Sequence, residues 1–183
     1  MKRFVFAALV ASILCCSPAI SLAQDMAKKD MAKIVDDKKE APSPGLLKKT
    51  NDEKSWKFEM TEEGKGKMKV EGDAIVFETI NAGVENWHVQ AYQRDIALTN
   101  GKTYEVKFTA KSPTSSTVLL MGSISEDDWH NVGLHEEVWI GEKYKEQSFT
   151  FTARDVLKNN RIGFVLGEEK GTVYVKNMSV VEK

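Results

Sequence analysis

The chain has 183 residues and sets 26 lysines and arginines against 27 aspartates and glutamates, a formal net charge of −1. A near-neutral chain with no basic block excludes nucleic acid as the main partner. The length suits one domain once an N-terminal leader is set aside.

The leader comes first. Lys2 and Arg3 precede an apolar run from Phe4 to about Ile20, followed by Ser21-Leu22-Ala23. A basic start, an apolar stretch and small residues at its end describe a secretory signal peptide, residues 1–23, cleaved after Ala23. The run falls short of the about 20 apolar residues that a membrane helix needs, so no membrane span is expected. Cys15 and Cys16 both lie inside it. Neither follows the Gly or Ala that a lipoprotein signal places before its lipidated cysteine, so cleavage after Ala23 is preferred to lipid attachment. The mature chain then carries no cysteine, and its expected destination is periplasmic or secreted.

Residues 24–45 read as a charged linker. Asp25-Met26-Ala27-Lys28 is nearly repeated as Asp30-Met31-Ala32-Lys33, then come Asp36-Asp37-Lys38-Lys39-Glu40 and Ala41-Pro42-Ser43-Pro44-Gly45. Few large apolar residues are present to dock such a segment, and a disordered spacer is expected.

From Leu46 the texture changes to short alternating runs. Trp56, Phe58 and Met60 share one face; Met68 to Val70 and Ala74 to Ile80 follow. Next, Val89 and Ala91 alternate with His88, Gln90 and Tyr92. Tyr104, Val106, Phe108 and Ala110 alternate with Glu105, Lys107, Thr109 and Lys111. A period of two with one apolar face is the pattern of a half-buried strand. Thr99-Asn100-Gly101-Lys102 reads as the turn that joins these two strands. Ser125 to His135 reads as a polar loop. Further strands are expected at Thr117 to Ile124, Glu146 to Thr152, Arg161 to Leu166 and Thr172 to Val181. No amphipathic helix of useful length follows the linker. Many short strands at regular spacing mean a β-sandwich or a barrel.

Trp87-His88-Val89-Gln90-Ala91-Tyr92-Gln93, then Ile96-Ala97-Leu98, then Gly101-Lys102-Thr103-Tyr104-Glu105-Val106-Lys107-Phe108 resembles the central signature of carbohydrate-binding modules of the family 4, 9, 16 and 22 type. Tyr144 to Phe151, Ile162 to Gly167 and Val173 to Val180 match that family's later strands in order. The resemblance spans roughly residues 46–183. It implies an all-β, jelly-roll β-sandwich of two antiparallel sheets, one concave and able to hold a polysaccharide or oligosaccharide. It also implies no catalysis, since such modules target an enzyme; a separate glycoside hydrolase is the protein partner it suggests. Two positions depart from the family. The opening is Leu46-Leu47-Lys48-Lys49-Thr50-Asn51-Asp52-Glu53, and Asn177 stands where the family has an Asp that helps hold structural calcium. No calcium and no other cofactor is therefore assigned.

Glycan recognition needs aromatic faces to stack on sugar rings and planar polar groups to bond hydroxyls. His88, Gln90 and Tyr92 share the non-core face of one strand, with a solvated face as the plain alternative. Trp129, in a polar loop with little apolar company, is the best aromatic candidate. Trp139, between Val138 and Ile140, is a further candidate with core packing as its alternative. Trp56 and Trp87 are expected in the interior or at strand ends. His130 and His135, with Asp127, Asp128 and Glu136 nearby, lack a third ligand at zinc-site spacing. Glu136 and Glu137 are adjacent, so on a strand they point to opposite faces and cannot act as a catalytic couple. A structural or protein-interaction sandwich without a sugar site is the competing reading.

Overall fold

The structure, a computed structural model, describes residues 43–183 except Asp127. The expected signal peptide, residues 1–23, and residues 24–42 of the expected linker, residues 24–45, lie outside the described residues. Ten strands follow in order: β1 (Lys57–Met60), β2 (Lys65–Glu71), β3 (Ala74–Asn81), β4 (Val89–Gln93), β5 (Thr103–Lys111), β6 (Ser116–Ile124), β7 (Asn131–Ile140), β8 (Lys145–Thr152), β9 (Asn160–Val165) and β10 (Gly171–Glu182). Helical structure among the described residues is confined to two 3-10 turns, Glu53–Ser55 and Asn86–His88.

The strands form two antiparallel five-stranded sheets, ordered β1-β4-β9-β6-β7 and β2-β3-β10-β5-β8. The all-β sandwich expected from the alternating runs is therefore present. Its core lies between the sheets. β5 shows why: Tyr104, Val106, Phe108 and Ala110 are buried while the residues between them are only partly so. A row of aromatic rings bridges the two layers. Trp56 meets Phe77 edge-on at 5.2 Å, and Phe108 meets Phe164 edge-on at 5.2 Å. Such pairs add about 0.5–1.5 kcal/mol each beyond the area they bury.

Three details differ from the sequence expectations. β4 and β5 do not pair; they belong to opposite sheets. The turn at Thr99–Lys102 forms, with Lys102 N donating to Thr99 O and Gly101 at φ +79°, but it ends a crossing between layers. That crossing buries Ile96 and Leu98 at the end of the sandwich, so the segment is part of the core rather than a hairpin loop. The second difference is β7, whose first half, Asn131 to His135, was read as polar loop. Val132, Leu134, Val138 and Ile140 point inward, but the exposed Glu136 interrupts their period. An edge strand tolerates that interruption because one flank is open to water. The third is the domain start: Val180 N donates to Pro44 O and Leu46 N to Val180 O, so the fold takes up residues just before Leu46.

Candidate functional site

Register decides what the outer face of the β1-β4-β9-β6-β7 sheet presents. Glu59 pairs with Gln90, Gln90 with Val165, Val165 with Leu119, and Leu119 with Glu137. That makes one row across all five strands. The next row is Lys57, Tyr92, Gly163, Met121 and His135. The third includes Arg161 and Ser123. Above these rows stand Trp87, from the 3-10 turn before β4, and Trp129, from the loop between β6 and β7.

Together they enclose an open cavity of about 590 Å³, lined among others by Glu59, Gln90, Met121, Trp129, Trp87 and Arg161. Its floor is apolar where Leu119, Met121 and Val165 lie, and its rim is aromatic. Trp87 is 44 % exposed and Trp129 50 %. From Arg161 to Val165 the floor runs about 13 Å along β9, at roughly 3.3 Å per residue. A smaller space, sharing Asn86, Leu119, His135 and Val165 with the first, continues towards Glu137 and Glu168.

The polar groups in this floor are bonded to one another. Gln90 Nε2 donates to Trp87 O at 2.8 Å, which leaves its side-chain carbonyl free to accept. Tyr92 Oη donates to Glu59 Oε2 at 2.8 Å. Burial pushes the Tyr92 phenol above its ordinary value, and the bond to Glu59 adds to the shift. The Arg161 guanidinium lies over the Tyr92 ring at 4.4 Å and over the Trp129 ring at 4.8 Å. Its Nε donates to Ser123 Oγ at 2.8 Å, while Nη1 stands 4.0 Å from Glu59 and has no hydrogen-bond partner among the described residues. Gly163 makes room for this layer: a Cβ there would collide with the Ala91 carbonyl and with Tyr92.

The five expected site residues separate. Gln90 and Trp129 line the main cavity. Tyr92 lies in the floor beside Arg161 and Gly163. Trp139, 64 % exposed, shares the outer face of β7 but sits beyond the cavity, opposite Thr117. His88 is elsewhere. It is 1 % exposed, beneath Trp87, and its Nδ1 accepts from the amides of Val84 and Glu85 at 3.3 and 3.4 Å. The alternation that put it beside Gln90 assumes a strand, but β4 begins only at Val89, and the 3-10 turn rotates His88 inward.

Glu59, Trp87, Arg161 and His135 also line the cavity, none of them expected there. Trp87 carried a signal, because it shares a polar context (Glu85-Asn86-Trp87) with no apolar neighbour on its N-terminal side. Arg161 carried one too, since an arginine with the parity of Gly163 and Val165 had to leave the core. Where the resemblance places structural calcium, Thr50 Oγ1 accepts from Met178 N at 2.7 Å, and Asp52 caps its own turn by accepting from Lys54 N. Calcium asks for six to eight oxygens with several carboxylates. This donor set does not fit it.

The carbohydrate binding domain family (CBM_4_9) matches residues 49–171. No curated protein matches the chain. Among solved structures, a family 4 carbohydrate-binding module is 21 % identical, with a TM-score of 0.67 over 78 % of this chain and 99 % of its own. The N-terminal cellulose-binding domain of Cellulomonas fimi β-1,4-glucanase C is 16 % identical, with a TM-score of 0.59 over 78 % and 98 %. A putative sugar binding protein from Bacteroides thetaiotaomicron is 15 % identical, with a TM-score of 0.53 over 76 % and 92 %. At these identities the likeness shows the fold. The family match, covering most of the chain, shows more: the chain belongs to the carbohydrate binding domain family.

Proposed function

We propose that this is an exported, non-catalytic protein that holds a polysaccharide or oligosaccharide chain in the groove of the β1-β4-β9-β6-β7 sheet. The observation that carries the reading is the pairing of two half-exposed tryptophans with Gln90 and an apolar floor around one open cavity. Indole faces stack on the C–H side of pyranose rings, and Gln90 supplies a planar acceptor for a hydroxyl. Glu59 is the one carboxylate lining this cavity among the described residues, and Tyr92 already bonds it. Glycoside hydrolysis needs a pair of carboxylates across the scissile bond, which favours binding over chemistry. A separate glycoside hydrolase is the protein partner that suits such a role.

The test is titration of the mature domain with a panel of soluble polysaccharides, beginning with β-linked glucans because one similar structure is a cellulose-binding domain. A few net hydrogen bonds of about 0.5–1.5 kcal/mol each and stacked rings give a dissociation constant on the order of micromolar to millimolar. A folded domain that binds no polysaccharide in the panel overturns the reading. Export is tested separately by intact mass of secreted material. A mature chain starting at Gln24 with no thiol is expected, and a lipid-bearing species retaining Cys16 overturns it.

A further inference from the structure

Trp129 is held in an unusual way. Its backbone lies in the left-handed region at φ +57°, where a bulky residue is strained unless its surroundings enforce the conformation. Half exposed, the indole has little core to enforce it. Two groups stand next to it. From below, the Arg161 guanidinium is layered between the Tyr92 ring at 4.4 Å and the Trp129 ring at 4.8 Å. Ser123 fixes that guanidinium by accepting from Nε at 2.8 Å. Arg161 itself is only 5 % exposed, and Nη1 is covered by protein. Nη1 is therefore turned away from the open groove, and the part of Arg161 that meets both rings is the flat face of its guanidinium.

The second group is His130, the next residue along. Its Nδ1 is 2.7 Å from Asp128 Oδ1, and its Nε2 is 2.7 Å from the backbone carbonyl of Asp155. Both oxygens are acceptors with no hydrogen to give, so both bonds together require the imidazolium; a neutral ring keeps one. The charged groups facing the ring are the carboxylates of Asp128 and Asp155, one from its own loop and one from the segment after β8.

We propose that Arg161 and His130 are positioning residues, which hold Trp129 over the end of the groove without touching the sugar, so that glycan affinity follows that hold. This rests on the glycan-binding reading given above. The Asp155 carbonyl, and after it the Asp128 carboxylate, keep the His130 pKa above its ordinary 6.5. A raised value means the brace is complete below about pH 6.5 and is lost as the pH rises through the higher folded value.

The experiment is 19F NMR on protein grown with 5-fluorotryptophan, run beside glycan titrations. The chain has four tryptophans, and Trp129→Phe assigns the Trp129 signal. Arg161→Lys keeps the charge but removes the flat layer. It is expected to shift or broaden the Trp129 signal selectively and to weaken binding about 2- to 30-fold, the range for cation–π contacts from exposed to desolvated. In a Trp129→Ala background the same change should cost nothing further. Raising the pH through the His130 titration should move the Trp129 signal and weaken binding together, and His130→Gln should abolish that pH dependence. Ser123→Ala, a milder change, should act in the same direction by less if Arg161→Lys fails to fold. An equal loss of affinity from Arg161→Lys in the Trp129→Ala background would mean that Arg161 contacts sugar directly, and would overturn the proposal. So would a Trp129 signal indifferent to Arg161→Lys and to pH. If no glycan binds, the functional reading fails by itself, while the 19F spectra still decide whether the brace exists.

Discussion

The outer faces of the two sheets are built from the same period of two yet are chemically unlike. On the β2-β3-β10-β5-β8 sheet the outward residues pair with one another in water. Lys107 and Lys183 both reach Glu105, at 3.0 and 3.1 Å, and Lys176 reaches Asp73 at 3.2 Å. Lys111 lies over Tyr144 and Tyr174, each at 4.8 Å. On the β1-β4-β9-β6-β7 sheet the outward Gln90, Tyr92 and Arg161 are 5–8 % exposed, covered by each other and by the loop tryptophans. The lesson is that alternation only says which residues leave the core. Whether the face they form is solvated or builds a walled groove depends on the strands laid beside it and on the loops above.

This contrast can be broken at several strengths. Phe108→Ala, between the sheets, should have the largest effect, destabilising the domain by about 3–5 kcal/mol in chemical denaturation. Below the unfolding range, its preference among glycans should be unchanged. Trp129→Ala and Trp87→Ala, on the groove rim, should each weaken glycan binding at least several-fold in calorimetry with the melting temperature nearly unchanged. If Trp129→Ala unfolds the domain, or leaves affinity untouched, the rim is structural and the two faces differ less than described. Gln90→Ala should cost about 0.5–1.5 kcal/mol of binding, the net worth of one hydrogen bond exchanged for water.

The smallest effect belongs to the other face. Lys107→Gln should change neither glycan binding nor, appreciably, the melting temperature, because exposed ion pairs contribute little. The bonds from Lys107 and then Lys183 hold the Glu105 carboxyl below its ordinary 4.5. A lowered value gives stability that is present above about pH 4.5 and lost as the pH falls through the folded value. Salt should weaken this contribution, while the stacked tryptophans of the groove should be insensitive to it.

Much of the fold was legible locally. The inward row Tyr104, Val106, Phe108 and Ala110 is fully buried, and Val89 and Ala91 face the core as their spacing requires. The reading slipped where local period and element boundary disagree. His88 has the parity of Gln90 but belongs to a turn, and β7 carries a charged residue at an inward position. For His88 the deciding contacts are local, a 3-10 turn closed by Glu85 and its neighbours, which a period of two does not describe. For β7 the deciding contact is its pairing with β6, which lies outside its own run.

By itself the sequence determined the class of the fold and the inner faces of β4 and β5, because hydrophobic burial acts on each residue wherever its strand lies. Gln90, Tyr92 and Trp129 were identifiable as outward-pointing or isolated side chains for the same reason, whereas Trp139 was left open between core and surface. Only the tertiary structure decided that β4 and β5 lie in opposite sheets, since a turn such as Thr99–Lys102 is compatible with a hairpin or a crossing. It also decided that Glu59, Tyr92, Arg161 and Trp129 meet. Glu59 and Arg161 come from strands separated by β4 in the sheet and by most of the domain in the chain. Their meeting depends on long-range register, which is set by how two layers close on a shared core rather than by the pattern within any one strand.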